Sequence, residues 1–211
     1  MNLDIFSSWT YAQAQASEDA VLERARERGR ELGVESVGSA TAGFLTVLAA
    51  VSGARNIVEI GTGVGVSGTS LLRGAGKQSA LTTIAIDVDH LAAAREAFHD
   101  AGVDGSRTRA ISGRAQAVLP RLTDGAYDLV FIDADKTHLL EYVTQAIRLV
   151  KVGGMVIMHD AFDQHRVPKP AVRRPSTVAT RNATRMLRED ERFVSTLVPT
   201  GLGLQIAARI G

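Results

Sequence analysis

The stretch Asn56–Gly68 reads N-I-V-E-I-G-T-G-V-G-V-S-G. An apolar run, Ile57–Ile60, carries one acid, Glu59, and stops at Gly61-Thr62-Gly63-Val64-Gly65. A helical pattern follows. This order predicts a buried strand, a glycine turn and a helix start. Glycines there let backbone N–H groups approach a ligand closely at the positive end of a helix dipole. The segment therefore points to an α/β fold that holds a nucleotide-type cofactor. Gly63-x-Gly65-x-x-Gly68 satisfies the dinucleotide fingerprint, but glycines alone do not name the cofactor.

Three more strand ends narrow the choice. Thr82–Asp87 (T-T-I-A-I-D) reads as a second strand with an acid at its carboxyl end. Such an acid accepts hydrogen bonds from ribose hydroxyls, or simply caps the next helix. Tyr127–Lys136 (Y-D-L-V-F-I-D-A-D-K) is an apolar strand ending in two acids and a lysine. Val152–Met158 ends in His159-Asp160. In an open parallel sheet, ligands sit at the carboxyl ends of strands. Glu59, Asp87, Asp133 and His159-Asp160 thus fall on one edge, which a purely structural sheet would not require.

The chain alternates throughout its middle: strand 56–60, helix 66–74, strand 82–86, helix 89–101, strand 107–111 and helix 115–122. Strand 127–132, helix 138–150 and strand 153–158 follow. Alternation of this kind predicts a parallel sheet with right-handed crossovers. The last third differs. Pro168, Pro170 and Pro175 punctuate a loop, Ser176–Glu189 reads as a helix, and 193–199 and 204–210 read as strands joined by Thr200-Gly201-Leu202-Gly203. That joint predicts a hairpin and an antiparallel strand in the sheet. NAD-binding domains do not usually finish this way.

Upstream, Ser17-Glu18-Asp19 reads as a helix cap, and Val21, Leu22, Ala25 and Leu32 as the apolar stripe of an amphipathic helix whose charged face is solvated. Thr41–Val51 reads as another helix. Residues 1–52 form a helical arm ahead of the 53–211 core, within one domain. With Phe6, Trp9 and Tyr11, the arm is expected to cover the cofactor or a second subunit.

E-I-G-T-G-V-G-V-S, I-D-V-D, F-I-D-A-D-K and V-G-G-M-V-I together resemble the metal-dependent O-methyltransferases of the caffeoyl-CoA and catechol type, from about Val37 to the C-terminus. The resemblance implies a Rossmann-like methyltransferase fold: a mostly parallel seven-stranded sheet with a C-terminal antiparallel strand. It implies S-adenosylmethionine as cofactor, with Glu59, Gly61, Thr62, Gly63 and Ser67 lining its site and Asp87 on the ribose. Val37 and Ala115 match family positions beside the cofactor. It also implies a homodimer.

The chemical end is Asp133, Asp135 and Lys136. A phenol with a pKa near 10 is ionised to only about one part in a thousand at pH 7. A divalent cation gripping the acceptor oxygen lowers that pKa, and a nearby lysine can take the proton. The resemblance makes Asp133 a metal and cofactor residue and Lys136 the acceptor-side group. The bland alternative is an Asp133–Lys136 ion pair that caps a helix. The family's second metal element, an Asp-Asn pair, is replaced here: His159-Asp160 stand there ungapped, and Asp160-Ala161 with one residue of slip. Three outcomes follow: a modified site with Asp133 and Asp160 as metal ligands, a shift in metal preference with His159 as a ligand, since an imidazole favours a softer ion such as manganese over magnesium, or loss of the metal; the first is the expected one. The aromatic substrate clamp is absent, and Phe162-Asp163-Gln164-His165 stands in its place. His90, His99, His138 and His165 lack metal-ligand spacing with one another and read as surface or helix-face residues.

Composition sets the outer bounds. The chain has 211 residues and no cysteine, so any metal must use oxygen or nitrogen ligands. No run of 18 apolar residues and no signal peptide are evident, which suits a cytoplasmic protein without a membrane span. A net charge of +1 gives no overall field for nucleic acid. Residues 166–192 hold eight basic and three acidic residues, a local +5. That segment is a solvated face, or an anion contact to a phosphorylated acceptor or RNA. The expected activity is methyl transfer to a hydroxyl of a small, aromatic acceptor. Methylation of a hydroxylated tRNA base, a non-catalytic S-adenosylmethionine-binding protein and an NAD-dependent oxidoreductase are the alternatives.

Overall fold

The computed structural model describes residues 3–211; the side chains of residues 3, 5 and 6, and with them the role expected of Phe6, lie outside it. The arm comprises α1 (Leu3–Ala14), α2 (Ala20–Glu31) and α3 (Ser39–Ser52). The core alternates β1 (Asn56–Ile60), α4 (Val66–Ala75), β2 (Ala80–Ala85), α5 (Val88–Asp100), β3 (Thr108–Ser112), α6 (Ala115–Val118), β4 (Tyr127–Ile132), α7 (Leu139–Leu149) and β5 (Val150–His159). It closes with α8 (Pro175–Glu189), β6 (Phe193–Val198) and β7 (Leu204–Arg209). The sheet has seven strands in the order β3-β2-β1-β4-β5-β7-β6. The first five are mutually parallel, and β7 enters antiparallel between β5 and β6, as the hairpin pattern predicts.

Side chains alternate along each strand, so the sheet carries a core on both faces. Val58, Ile60, Val130, Ile132 and Met158 pack under α6, α7 and α8. Ile57, Leu129, Phe131 and Ile157 pack under α2, α3, α4 and α5. Burying each such side chain contributes about 1.5–3 kcal/mol. Glu59 shares the second face, directly beneath α4.

Three local expectations change. The helix expected over 115–122 stops at Val118 and tightens into a 3-10 turn at Leu119–Arg121, because Pro120 offers no N–H. Strand β5 starts earlier than expected, and its register with β4 shifts between Tyr127 and Leu129. Leu32 leaves the apolar stripe: it is the C-cap of α2 and stands 41% exposed, while Leu22, Ala25 and Gly29 form the buried face. The charged face of α2 is only partly solvated, since Arg28 reaches Glu96 and Asp100 on α5.

Candidate active site

The chain winds outward from β1 in one direction and from β4 in the other. The carboxyl ends of these two strands therefore diverge into a crevice, the place where open α/β sheets bind ligands. A cavity of about 370 Å³ occupies it. Its floor is the glycine turn, where Gly61, Gly63 and Gly65 hold φ of 95°, 49° and 87°. Gly65 is also the N-cap of α4 and supplies no side-chain acceptor, so the first N–H groups of that helix are open to an anionic group.

Most of the residues singled out in the sequence meet on this cavity. Val37, Gly61, Thr62, Gly63 and Ser67 form one wall, and Asp87, Ala115 and Asp133 face them. Glu59 does not line it. It is 0% exposed and lies behind the wall, where Ser67 Oγ and Thr83 Oγ1 each donate to its carboxylate at 2.6 Å. Those two bonds, and not a ligand, offset the cost of placing an acid in an apolar strand. Burial outweighs them and pushes the Glu59 carboxyl up to about 7. Thr62 Oγ1 meets Thr83 Oγ1 at 2.7 Å, so a hydrogen-bonded chain runs from Glu59 to the cavity floor.

Asp87 takes the capping role and also lines the cavity. Its Oδ1 accepts from the backbone N–H groups of Asp89 and His90 and caps α5. These bonds hold its carboxyl below the ordinary value. Among the described residues its Oδ2 has only the His90 ring, at 3.9 Å, and Asp87 lines the cavity. His90, set aside as a surface residue, is thus a wall residue, placed there by the first turn of α5. Asp135 and Tyr142 also line the cavity, and Tyr142 Oη donates to Asp135 at 2.6 Å. His138 Nδ1 also meets Asp135, at 2.9 Å. Asp135 is therefore held by Tyr142 and His138. Gln116, beside Ala115 in the chain, holds its Oε1 buried without a partner.

The acceptor end departs from expectation. Asp133 pairs with His159, Nδ1 to Oδ1 at 2.8 Å, and not with Lys136. Lys136 Nζ donates to the backbone carbonyls of His159 and Asp160, both at 3.1 Å, and stands 3.6 Å from the Asp160 carboxylate. Lys136 is thus directed at three oxygens of the His159–Asp160 segment. The other Asp160 oxygen accepts from Gln164 N–H at 2.8 Å. Of the expected metal ligands, Asp133 and His159 therefore meet each other, while the Asp160 carboxylate is engaged by Lys136 and the Gln164 N–H instead. Among the described residues, no three Asp, Glu or His side chains are grouped to hold a metal ion. A divalent cation does not fit this donor set as it stands.

The segment after β5 is strained and tightly tied. Asp160, Asp163, Gln164 and His165 all adopt left-handed φ, between 47° and 62°. Such residues cost about 1–3 kcal/mol each and persist only where the surroundings enforce them. Asp163 supplies the enforcement. Buried, it accepts from Arg166 Nε and Nη2 at 2.9 and 2.8 Å, and from Ser176 and Thr177 at 3.1 and 2.5 Å. The Arg166 guanidinium holds its carboxyl at about 2. Arg181 donates to the carbonyls of Arg166, Val167, Lys169 and Val172. Two of the eight basic residues of 166–192, Arg166 and Arg181, therefore stabilise the loop itself. No described helix is long and apolar enough to cross a membrane.

A seven-stranded sheet of this order, with β7 reversed and a glycine-floored cavity at the β1/β4 crevice, defines the Rossmann-like methyltransferase class. Comparison with known proteins carries this further. The O-methyltransferase family profile matches residues 13–210. A Mycobacterium bovis protein assigned by name to the O-methyltransferases is 46% identical over 203 residues, spanning 96% of this chain and 91% of its own. The O-methyltransferase TomG of Streptomyces achromogenes, solved with SAM and involved in tomaymycin synthesis, superposes with a TM-score of 0.87 at 27% identity over 100% of both chains. A Corynebacterium glutamicum protein superposes with a TM-score of 0.89 at 28% identity, covering 100% of this chain and 98% of that one. The chain belongs to the O-methyltransferase family. It is an S-adenosylmethionine-dependent enzyme.

Proposed function

We propose that the protein transfers the methyl group of S-adenosylmethionine to a hydroxyl of a small aromatic acceptor. One observation carries the cofactor assignment: eight of the nine residues expected to hold it share one cavity at the β1/β4 crevice. A volume of about 370 Å³ suits a ligand of that size. Asp87 Oδ2 would accept from the ribose hydroxyls. The uncapped N–H groups of α4 would receive the methionine carboxylate. Val37 and Ala115 would give apolar contact, and Asp133 would close the end nearest the acceptor.

Bound there, the sulfonium supplies an electrophilic methyl group. The chain's residues hold the acceptor oxygen in line with it and remove the hydroxyl proton, since proximity and proton removal are what such a displacement asks of a protein. The absence of the aromatic clamp leaves the segment 160–174 to shape the acceptor site. The free ends of Lys169, Arg173 and Arg174 support an acceptor that carries an anionic group, and support RNA less, since Arg166 and Arg181 are committed within the loop. Exposed Trp9 and Tyr11 on α1 and Val47 and Val51 on α3 support a homodimer. Calorimetric titration with S-adenosylhomocysteine and with NAD tests the function. Saturable binding of the first alone is expected, and binding of NAD alone would overturn it.

A further inference from the structure

The cavity at the β1/β4 crevice carries a one-sided set of charges. Its wall holds four carboxylates, Glu35, Asp87, Asp133 and Asp135. Among the described residues that line it, His90 is the only basic side chain, and there is no lysine or arginine. Three of the acids are engaged within the protein. Asp87 caps α5, Asp133 meets the His159 ring at 2.8 Å, and Asp135 accepts from Tyr142 at 2.6 Å. Glu35 is exposed and has no hydrogen-bond or ion-pair partner among the described residues.

We propose that Glu35 is a specificity-determining residue of the cavity, whose free carboxylate makes the site prefer the sulfonium cofactor to the neutral thioether left once the methyl group has gone. The proposal rests on the methyltransferase reading above.

Local structure keeps the side chain on the wall. Glu35 belongs to the link between α2 and α3, and Val34, Ser36 and Val37 on either side of it line the same cavity. Val34 N–H donates to Gly29 O at 2.7 Å, and Val34 Cγ1 lies 3.5 Å from the place a Cβ would take on Gly63. Val37 is buried. The backbone is thus anchored before and after Glu35, against the glycine turn that floors the cavity. The anchoring is done by backbone and apolar groups. Nothing among the described residues uses the charge of Glu35, which leaves it to a ligand.

Charge then selects between the two forms of that ligand. S-adenosylmethionine and S-adenosylhomocysteine share the adenosine, the ammonium and the carboxylate. They differ by one methyl group and one unit of positive charge on sulfur. A contact with a shared group cancels in the ratio of their affinities; attraction to the sulfonium does not. One charge pair across a solvent-open cavity is worth about threefold to tenfold in affinity. The wall therefore holds the methyl donor and loosens on the product.

The test is calorimetric titration of the full chain with each of the two ligands, for the native protein and for Glu35→Gln. Glutamine keeps the shape of the side chain and removes its charge, and at an exposed position it leaves the fold intact. Expected is an affinity ratio, S-adenosylmethionine over S-adenosylhomocysteine, that falls about threefold to tenfold in the variant. An unchanged ratio would overturn the proposal, whether both affinities drop together, which would place Glu35 at a group the ligands share, or neither moves. If neither ligand binds the native protein, the cofactor assignment itself fails, a result distinct from the other two.

Discussion

Gly61 and Asp133 meet backbone to backbone: a Cβ on Gly61 would lie 1.9 Å from the Asp133 carbonyl oxygen. Around this contact three strand ends are laced together. Gly61 N–H donates to Ile84 O at 2.9 Å, and Asp133 N–H donates to Ile60 O at 2.8 Å. The first glycine of the turn is therefore required by strand packing as much as by any ligand. Gly61→Ala, which also meets a φ of 95°, should cost about 3 kcal/mol or more in a urea titration. An unchanged midpoint would show that the strands are not this close.

Glu59 makes stability depend on pH in an unusual direction for a carboxylate. Its folded-state pKa, about 7, lies above the ordinary 4.5. The folded chain thus binds the proton more tightly than the unfolded one, and stability falls as pH rises from 4.5 to 7, by up to about 3 kcal/mol. Glu59→Gln cannot titrate. Relative to the native chain it should gain stability between pH 5 and pH 8, whatever constant penalty its altered hydrogen bonding adds. Parallel pH dependences would exclude the assignment.

Asp87→Asn separates the two roles of that side chain. Asparagine keeps an oxygen for the N–H groups of Asp89 and His90, so α5 stays capped. The lost charge should weaken S-adenosylhomocysteine binding roughly tenfold to a hundredfold. Calorimetry reads the affinity and circular dichroism the fold. Native affinity in a folded variant would remove Asp87 from the cofactor site.

Asp163 follows the opposite sign to Glu59. Its carboxyl is held at about 2, below the ordinary 3.8, so its contribution is fully present above pH 3.8 and is lost as pH falls through 2. Asp163→Ala should destabilise the chain by about 3 kcal/mol at neutral pH, because Arg166 and Thr177 lose their partner in a buried setting. The variant should also unfold less steeply in acid over that window. Urea melts at pH 7 and an acid titration check both.

Much of this architecture is legible in the chain because its signals are local. The strand at Ile57–Ile60, the glycine turn and the hairpin at Thr200–Gly203 each announce themselves within a dozen residues. The cavity wall was legible for the same reason, since it is built from strand ends. What escaped depends on register. Thr83 lies 24 residues from Glu59 and becomes its partner only because β1 and β2 align those two positions. Alignment of the predicted strands 56–60 and 82–86 by their ends sets Glu59 against Ala85 instead, two residues off the observed register. His159 meets Asp133 across 26 residues, through the pairing of β4 with β5. That contact turns an expected ligand pair into a hydrogen-bonded dyad. Asp163 gave no signal at all, because its donors come from α8 and from an arginine in a turn that no periodicity predicts.

The Glu59–Thr83–Thr62 chain also fixes the polarity of the cavity floor. Each threonine hydroxyl has one hydrogen. While Glu59 is ionised, Thr83 must give its hydrogen to the carboxylate, and Thr62 must give its own to Thr83. Thr62 then has only lone pairs to turn toward the cavity, a surface that favours a positively charged ligand. A proton on Glu59 lets the whole row reverse, and Thr62 would then face the cavity as a donor. The cavity floor can thus change its polarity by the direction of two hydroxyl groups, with no heavy atom moved.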